Sequence, residues 1–331
     1  MMADSRAGPG QPVVVALGSV DPALVAGVLD GHCRFVPDPG ETELGLASGA
    51  IVRADARVDQ ALLGKAPLLQ VIARTGVGVD LVDVATATAR GIAVVITPGA
   101  GAAAVAEGAI GMALHLVKRF GPLTALVREG RWAQRTEVLV GDLGGATLGV
   151  AGYGRIGRRT AALGAAFGMR ILAYDPVSDP PDDVRCTDLG DLAGRSDVIT
   201  LHLPLTGRTR HLVDDAFLAR VKPGAVLVNC SRGGLIDTDA VWRALTTGRL
   251  SGVGLDVFDP EPPGPHPLYR HPDVVLTPHL MGLSRRATAA TFTAAARGIL
   301  DVLAGREPQA VANPAWRTHR HPEEITHDQL R

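Results

Sequence analysis

The sequence predicts an α/β protein with two domains, each a parallel sheet that carries helices on its faces. A chain of 331 residues is long for one core, and 46% hydrophobic residues are enough to build two. Short apolar runs rich in β-branched residues alternate with helical stretches, which is typical of β-α units. Two such sets follow one another, and a long Ala-rich helical stretch over residues 102–130 separates them.

The first set is expected to hold four strands and three helices. Asp21 and Pro22 mark the start of its first helix, because Asp caps helices and proline suits the first helical position. Gly91 is a stop signal for the third helix. The expected strands cover residues 12–17, 49–53, 68–73 and 92–96, and the expected helices cover 21–30, 59–66 and 80–91.

The second set follows the 102–130 stretch, which we expect to break near Gly121 and Pro122. It opens with a strand, a glycine-rich turn and a helix over residues 146–168. Further strands or strand ends are expected at 170–175, 197–204, 224–230, 251–258 and 273–279, and helices at 215–221, 237–248 and 284–305. Residues 313–331 are polar and are expected to be loose.

Composition excludes several function classes. The formal net charge is −1, and no cluster of Lys or Arg interleaves with aromatics, so we expect no nucleic-acid partner. Cys33, Cys186 and Cys230 are scattered, and the ten histidines lack metal-ligand spacing, so neither a disulfide framework nor a metal site is expected. The first residues lack an apolar signal core, and no apolar stretch reaches about 18 residues. We therefore expect a cytoplasmic protein that does not span a membrane.

A glycine-rich turn indicates a dinucleotide site. Gly152, Gly154 and Gly157 form the G-x-G-x-x-G pattern between an apolar strand and a helix. Gly152 permits the tight turn, Gly154 lets the backbone approach a pyrophosphate, and Gly157 lets the helix pack on the strand. Asp175 ends the next strand, where its carboxylate would accept hydrogen bonds from the adenosine ribose hydroxyls. A 2′-phosphate would meet that carboxylate, so the pattern favours NAD over NADP.

Three charged or ionisable residues follow later strands of the same sheet: Arg232, Glu261 and His279. Ligands of open α/β sheets bind beyond the carboxyl ends of the strands, so these side chains are expected to converge. Imidazole titrates near neutral pH, so His279 suits the proton donor for a ketone that receives a hydride, and Glu261 would orient it. Arg232 offers a planar fork that matches a carboxylate or 2-oxo acid.

These residues resemble the D-isomer-specific 2-hydroxyacid dehydrogenase family. The resemblance runs from about residue 12 to 312 and rests on "GYGRIG" with "YDP", "LHLPLTGRTRHLV", "NCSRGGLIDTDAV", "GLDVFDPEP" and "TPHLMG". It implies two flavodoxin/Rossmann-like, doubly wound parallel-sheet domains, with the NAD domain inserted in the substrate domain. The implied boundaries are 1–100 with 284–331 for the substrate domain and 101–283 for the NAD domain. The resemblance also implies a homodimer, formed through the helix around 102–120.

The resemblance implies roles for individual residues. Arg232, Glu261 and His279 would be the catalytic set, and the backbone N–H groups of Val77 and Gly78 would bind the substrate carboxylate. Arg53 and Arg74 match positions that face a phosphate in 3-phosphoglycerate dehydrogenases. The implied NAD-binding residues are Gly152, Gly154, Arg155, Ile156, Gly157, Asp175, His202, Pro204, Thr209, Cys230, Asp256 and Gly282.

The sequence motifs do not agree on one substrate. Residues 52–58, 74–80 and 256–263 look most like 3-phosphoglycerate dehydrogenases, but residues 99–104 read "GAGAAA" where that group has Asn and Ser. The "LMGLS" segment after His279 looks more like hydroxypyruvate or glyoxylate reductases. We therefore expect a small 2-hydroxy/2-oxo acid as substrate, either without or with a second anionic group. Alternatives are a formate or phosphite dehydrogenase on the same scaffold and an NAD-sensing protein similar to the family's corepressors.

Overall fold

The computed structural model describes residues 10–53 and 55–319, and it divides into two compact units. The first unit is built from the chain up to Gly101 together with the chain from Arg285, and the second is Ala102–Ser284. The parts of the expected substrate domain at 1–9, 54 and 320–331 lie outside the described residues.

The first unit is built on a five-stranded parallel sheet. Its strands are β1 (Val13–Leu17), β2 (Arg34–Val36), β3 (Ala47–Val52), β4 (Val71–Arg74) and β5 (Ala93–Val95). Their order in the sheet is β2-β1-β3-β4-β5, which is the flavodoxin-like order. The register pairs Val15 of β1 with Ala50 of β3 and Ala50 with Ile72 of β4.

Helices cover both faces of this sheet. They are α1 (Ala23–Leu29), α2 (Glu41–Gly45), α3 (Gln60–Lys65), α4 (Val84–Ala89) and, after the second unit, α11 (Arg285–Leu303). Alternate residues of each strand enter opposite cores, since Val71 packs with Phe292 and Ile299 of α11, whereas Ile72 packs with Leu63 of α3. Helix α11 lies close to the sheet because a Cβ on Gly298 would lie 2.6 Å from Val95 Cγ1.

The second unit is built on a six-stranded parallel sheet. Its strands are β6 (Thr147–Ala151), β7 (Arg170–Tyr174), β8 (Val198–Leu201), β9 (Ala225–Asn229), β10 (Leu250–Leu255) and β11 (Val274–Leu276). Their order is β11-β10-β9-β8-β6-β7. The direction of winding reverses between β6 and β8, and open α/β sheets bind their ligands at such a switch point.

The helices of the second unit pack on this sheet from both sides. They are α5 (Ala102–Val117), α6 (Phe120–Arg128), α7 (Arg155–Ala166), α8 (Leu189–Arg195), α9 (Asp215–Arg220) and α10 (Thr238–Thr246). Short 3₁₀ helices lie at Trp132–Glu137, Gly233–Leu235 and Pro267–Arg270. The expected fold class, two α/β units with doubly wound parallel sheets, is confirmed.

Two local expectations need adjustment. The 102–130 helix breaks near Gly121 and Pro122 as expected, but the break itself lies at Arg119, whose φ is +56°. Pro122 falls in the first turn of α6, where backbone N–H groups have no intrahelical acceptor. Helix α4 begins after Asp83, whose side chain accepts a hydrogen bond from Thr86 N, and not at residue 80.

The segment after Asn313 is ordered as far as it is described. A 3₁₀ helix covers Pro314–His319, and Trp316 is buried. Asn313 Oδ1 accepts a hydrogen bond from Val94 N at 2.8 Å, which ties this segment to β5. The rest of the expected loose segment, 320–331, lies outside the described residues.

Among the described helices, no single one is long and apolar enough to cross a membrane. Helices α5 and α6 reach that length and composition only when taken together, with a bend of 57° between them.

Candidate active site

The turn after β6 has the shape that its glycines allow. Gly152 has a φ of +100°, and a Cβ there would lie 2.6 Å from the carbonyl carbon of His202. A Cβ on Gly157 would lie 1.9 Å from Gly152 O, so α7 contacts the turn directly. Both positions therefore exclude any larger residue.

Among the described residues, no atoms lie close in front of the N-terminal end of α7. Gly154 is its N-cap residue, and a Cβ there would meet nothing within 4 Å. The first backbone N–H groups of α7, from Arg155 and Ile156 onward, are those that lack intrahelical acceptors, and the positive end of the helix dipole adds to them. The open front and the free N–H groups fit the pyrophosphate of NAD.

Asp175 stands beside this turn at the end of β7. Its Oδ2 accepts a hydrogen bond from Tyr153 N at 2.6 Å, and its Oδ1 accepts from Val177 N and Ser178 N at 2.8 Å each. The carboxylate is thus fixed, and Oδ2, which accepts one hydrogen bond, keeps a second lone pair for a ribose hydroxyl. Its negative charge opposes a 2′-phosphate, as expected for an NAD site.

Three of the expected NAD-binding residues, His202, Pro204 and Thr209, belong to the segment that follows β8. Thr209 Oγ1 donates to Pro204 O at 2.7 Å, which folds the segment into a closed turn. His202 Nε2 lies 3.0 Å from Thr200 Oγ1, and among the described buried side chains its Nδ1 is the atom without a partner. The residue is partly exposed but its ring nitrogen is enclosed, and this burial lowers the pKa of His202 to about 4. The imidazole is therefore neutral at physiological pH.

His279 and Glu261 form a hydrogen-bonded pair beyond β11 and β10. His279 Nδ1 lies 2.8 Å from Glu261 Oε2, and Glu261 Oε1 accepts from Phe258 N at 3.0 Å. An ionised carboxylate only accepts hydrogen bonds, so Nδ1 carries a proton. The side chains are 42% and 38% exposed, so the pair is accessible to solvent.

The Arg232 segment packs against the segment that carries Glu261. A Cβ on Gly233 would lie 1.9 Å from the carbonyl carbon of Phe258, so the two backbones touch at this position. Arg232 itself is partly buried, and its Nη1 donates to Ser231 O at 2.7 Å. The structure therefore brings the three expected catalytic residues to one edge of the sheet, since β9, β10 and β11 are neighbours.

Asp256 has a role that the sequence analysis missed. It is 2% exposed, its Oδ1 accepts from Thr277 Oγ1 at 2.6 Å and from Leu280 N at 2.9 Å, and its Oδ2 accepts from Met281 N at 3.2 Å. Its backbone oxygen accepts from His279 N at 2.7 Å. These bonds hold the turn in which His279 has a φ of +55°. The available signal in the sequence was the place of this carboxylate, directly after β10 and thus beside the turn that follows the neighbouring strand β11.

Two other expected cofactor residues are closely packed. Cys230 is buried with its Sγ 3.9 Å from Met112 Sδ, and burial raises the pKa of its thiol to about 12. Any contact of Cys230 with a cofactor would therefore come from its backbone. A Cβ on Gly282 would lie 3.5 Å from Val105 Cγ2.

The four expected substrate-binding residues belong to the first unit. Arg74 is 5% exposed, its Nε donates to Gly78 O at 2.9 Å, and its Nη1 donates to the backbone oxygen of Arg53. This placement favours a role in shaping the 74–80 segment over the expected contact with a phosphate. Val77 is 51% exposed, and the Arg53 guanidinium lies 5.6 Å from the ring centre of Phe292.

Within the residues that the structure describes, no group of three or more His, Cys, Asp or Glu side chains could hold a metal ion. The fold and the glycine turn together define a dinucleotide-binding domain with an Arg, Glu and His set at its ligand-binding edge. Residues 110–281 match the model of the NAD-binding domain of D-isomer specific 2-hydroxyacid dehydrogenases. The chain belongs to this family, which confirms the expected family and NAD as its cofactor.

Known proteins with different substrates resemble this chain. D-3-phosphoglycerate dehydrogenase of Methanocaldococcus jannaschii is 40% identical over 268 residues, which are 80% of this chain and 51% of that protein. The D-lactate dehydrogenase of Aquifex aeolicus, solved with NAD and lactic acid, is 30% identical with a TM-score of 0.77, covering 88% of this chain and 96% of that one. An NADPH-dependent glyoxylate/hydroxypyruvate reductase of Sinorhizobium meliloti is 28% identical with a TM-score of 0.83, covering 94% and 100%. The chain spans about half the length of the curated relatives that it matches.

Proposed function

We propose that the protein is an NAD-dependent D-2-hydroxyacid dehydrogenase. It transfers a hydride reversibly between NAD(H) and a small 2-hydroxy/2-oxo acid. The observation that carries this proposal is the His279–Glu261 hydrogen bond of 2.8 Å, at the same sheet edge as Arg232 and within a dinucleotide-binding domain.

Each residue has a defined task in this reaction. When bound, NAD accepts or supplies the hydride. His279 Nε2 gives a proton to the carbonyl oxygen as the 2-oxo acid is reduced, and it takes the hydroxyl proton in the reverse direction. Glu261 holds the ring and balances its positive charge. Arg232 directs its guanidinium at the carboxylate and carbonyl of the acid. The backbone N–H groups of Val77 and Gly78 are proposed as further donors to the substrate.

The proposed cofactor preference is NAD over NADP, because Asp175 occupies the position where a 2′-phosphate would lie. The NADPH-dependent relative shows that this preference varies among similar proteins. The preference of this chain is therefore argued from its own carboxylate.

The proposed substrate is a small 2-oxo acid, with a second anionic group as the more specific possibility. Arg53 supports a second anion because its guanidinium is partly exposed beyond β3, whereas Arg74 is buried among backbone oxygens. The deciding experiment follows NADH oxidation with pyruvate, glyoxylate, hydroxypyruvate and phosphorylated 2-oxo acids, and NADH formation with formate and phosphite. Reduction of at least one 2-oxo acid, abolished by His279→Gln, supports the proposal. NADH formation from formate or phosphite alone, or binding of NADH without any turnover, would replace it.

We further propose a homodimer in a reducing, cytoplasmic compartment. The α5 helix buries Ala106, Ile110 and Ala113 within the second unit. The segment after it exposes large apolar side chains, since Trp132 is 63% and Leu139 is 89% exposed. A second copy that covers residues 120–140 would remove this surface from water. Light scattering of the wild type and Leu139→Glu tests the dimer, and cell fractionation tests the location. The three cysteines are free and buried, as suits a reducing compartment.

A further inference from the structure

Three segments leave neighbouring strands at the ligand-binding edge of the second sheet. The β8 loop is residues 202–214, the β9 loop is 230–236, and the β10 loop is 256–266. Because β8, β9 and β10 are adjacent in the sheet, the β9 loop lies between the other two. The β9 loop carries Arg232, and the β10 loop carries Glu261.

The β8 loop is joined to the β9 loop through the backbone. His211 N donates to Gly234 O at 2.8 Å, and Val213 N donates to Leu235 O at 3.0 Å. A Cβ on Gly234 would lie 3.0 Å from Leu205 Cδ2, so the two loops are also in side-chain contact. Movement of the β8 loop would therefore displace the segment that follows Arg232.

One ion pair joins the β8 loop to the β10 loop across the loop between them. Arg210 Nη1 lies 2.8 Å from Asp259 Oδ2. The same Asp259 oxygen would lie 2.9 Å from a Cβ on Gly234, so the pair passes directly over this glycine. The ion pair therefore holds the β10 loop in contact with the β9 loop.

Asp259, the acidic partner of this ion pair, lies next to the catalytic carboxylate in the chain. Asp259 follows Phe258, whose N–H donates to Glu261 Oε1, and it precedes Glu261 by two residues. A shift of residues 258–259 would therefore change the direction of the Glu261 carboxylate and, through it, of His279.

We propose that Arg210 is a positioning residue for the catalytic set. Its ion pair with Asp259 aligns Glu261 with His279 and holds the Arg232 loop in place. The proposal rests on the proposed dehydrogenase function for its kinetic consequences. Both side chains are about half exposed, so the pair stabilises the fold little. Small displacements of catalytic groups nevertheless slow a reaction strongly, so the effect belongs to kcat and not to folding.

The kinetic test compares Arg210→Gln, Asp259→Asn, the double variant and the reversed pair Arg210→Asp with Asp259→Arg. We expect each single variant to lower kcat about 10-fold with an unchanged unfolding midpoint. The double variant should be no slower than either single one, and the reversed pair should recover part of the loss. Arg208→Gln is the matched control, since Arg208 is an exposed arginine of the same loop. Normal kcat in Arg210→Gln, or additive losses in the double variant, would overturn the proposal.

A second readout does not depend on turnover. In protein labelled with ¹⁵N-histidine, the Nδ1 proton of His279 should give a hydrogen-bonded resonance, identified by its loss in His279→Gln. Arg210→Gln should broaden or shift this resonance, and Arg208→Gln should leave it in place. A change in Arg210→Gln in a protein that reduces no 2-oxo acid would sink the proposed function and keep the positioning role. An unchanged resonance in an active enzyme would sink the positioning role alone.

Discussion

Glu261 Oε2 accepts a hydrogen bond from His279 Nδ1 at 2.8 Å, and this contact leaves Nε2 as the ring nitrogen for the proposed proton transfer. Glu261→Gln removes the negative charge that balances a protonated imidazole. General acid–base catalysis contributes roughly 10²- to 10⁴-fold, so we expect kcat to fall by about 10²-fold with an unchanged Kd for NADH. Stopped-flow reduction of the best 2-oxo acid measures this change. A kcat near that of the wild type would mean that the pair does not serve catalysis.

Arg232→Ala should lower kcat/KM by on the order of 10²- to 10⁴-fold. The variant loses a fork of two charged hydrogen bonds, each worth roughly 1.5–3 kcal/mol, and about 1.4 kcal/mol corresponds to one decade. NADH affinity, measured by fluorescence titration, should barely change. Arg232→Lys keeps the charge without the fork and should recover only part of the rate. Near-normal turnover in Arg232→Ala would refute the assigned role.

Asp175→Ala should reduce the preference for NAD over NADP. The carboxylate that would repel a 2′-phosphate is lost, and with it the acceptor for the ribose hydroxyls. The ratio of kcat/KM for the two cofactors measures the effect. Asp183→Ala, at an exposed aspartate further along the chain, is the control and should leave the ratio as in the wild type. An unchanged ratio in Asp175→Ala would contradict the ribose assignment.

Gly233→Ala should destabilise the protein and remove activity together. The new Cβ would stand 1.9 Å from the Phe258 carbonyl carbon, a backbone atom that cannot move without displacing the Glu261 segment. Such overpacking costs typically about 1–3 kcal/mol in unfolding free energy. Gly207→Ala, on the β8 loop, would meet nothing within 4 Å and is the matched control. The measurements are the urea unfolding free energy and the kcat of both variants. Equal values for Gly233→Ala and Gly207→Ala would contradict the close contact at Gly233.

His202 should make the protein less stable in acid. Burial lowers its pKa from 6.5 to about 4, so between these values the unfolded chain binds a proton that the folded protein does not. The free energy of unfolding is therefore full above about pH 6.5 and falls as the pH decreases toward 4, by on the order of 3 kcal/mol from this residue.

The measurement is the unfolding free energy of the wild type and His202→Gln between about pH 7 and pH 5. The wild type should lose more stability than the variant over this range, and His319→Gln, at an exposed histidine, should behave as the wild type. Parallel curves for the wild type and His202→Gln would show that His202 is protonated equally in both states.

Local signals in the sequence were sufficient for much of the fold. Apolar runs located all the described strands but one, and Asp59 and Asp214 cap helices, each accepting a backbone N–H three residues on. The short strand Arg34–Val36 was missed because three half-buried residues carry no periodic pattern. Arg119 could not be identified as the helix break, since its left-handed backbone follows from packing and not from its own preference.

The candidate site, like the fold, could be predicted from the sequence only in part. The glycine turn and the residues at the strand ends could be predicted because each follows a local pattern at a known sheet edge. Asp256 and Arg74 were expected as site residues, but their roles in holding the backbone could not be predicted, because their partners are backbone groups brought near by folding, such as Met281 N and Gly78 O. Residues whose role is to hold other residues leave little trace in a single sequence.

The close contacts of Gly233 and Gly234 with neighbouring segments limit how this protein could be redesigned. Libraries that randomise one of the three neighbouring segments alone should yield mostly inactive clones, because each segment is shaped by the surface of the next. Exchange with another member of the family should transfer residues 202–266 as one block, so that the contacts at both glycines come from a single parent.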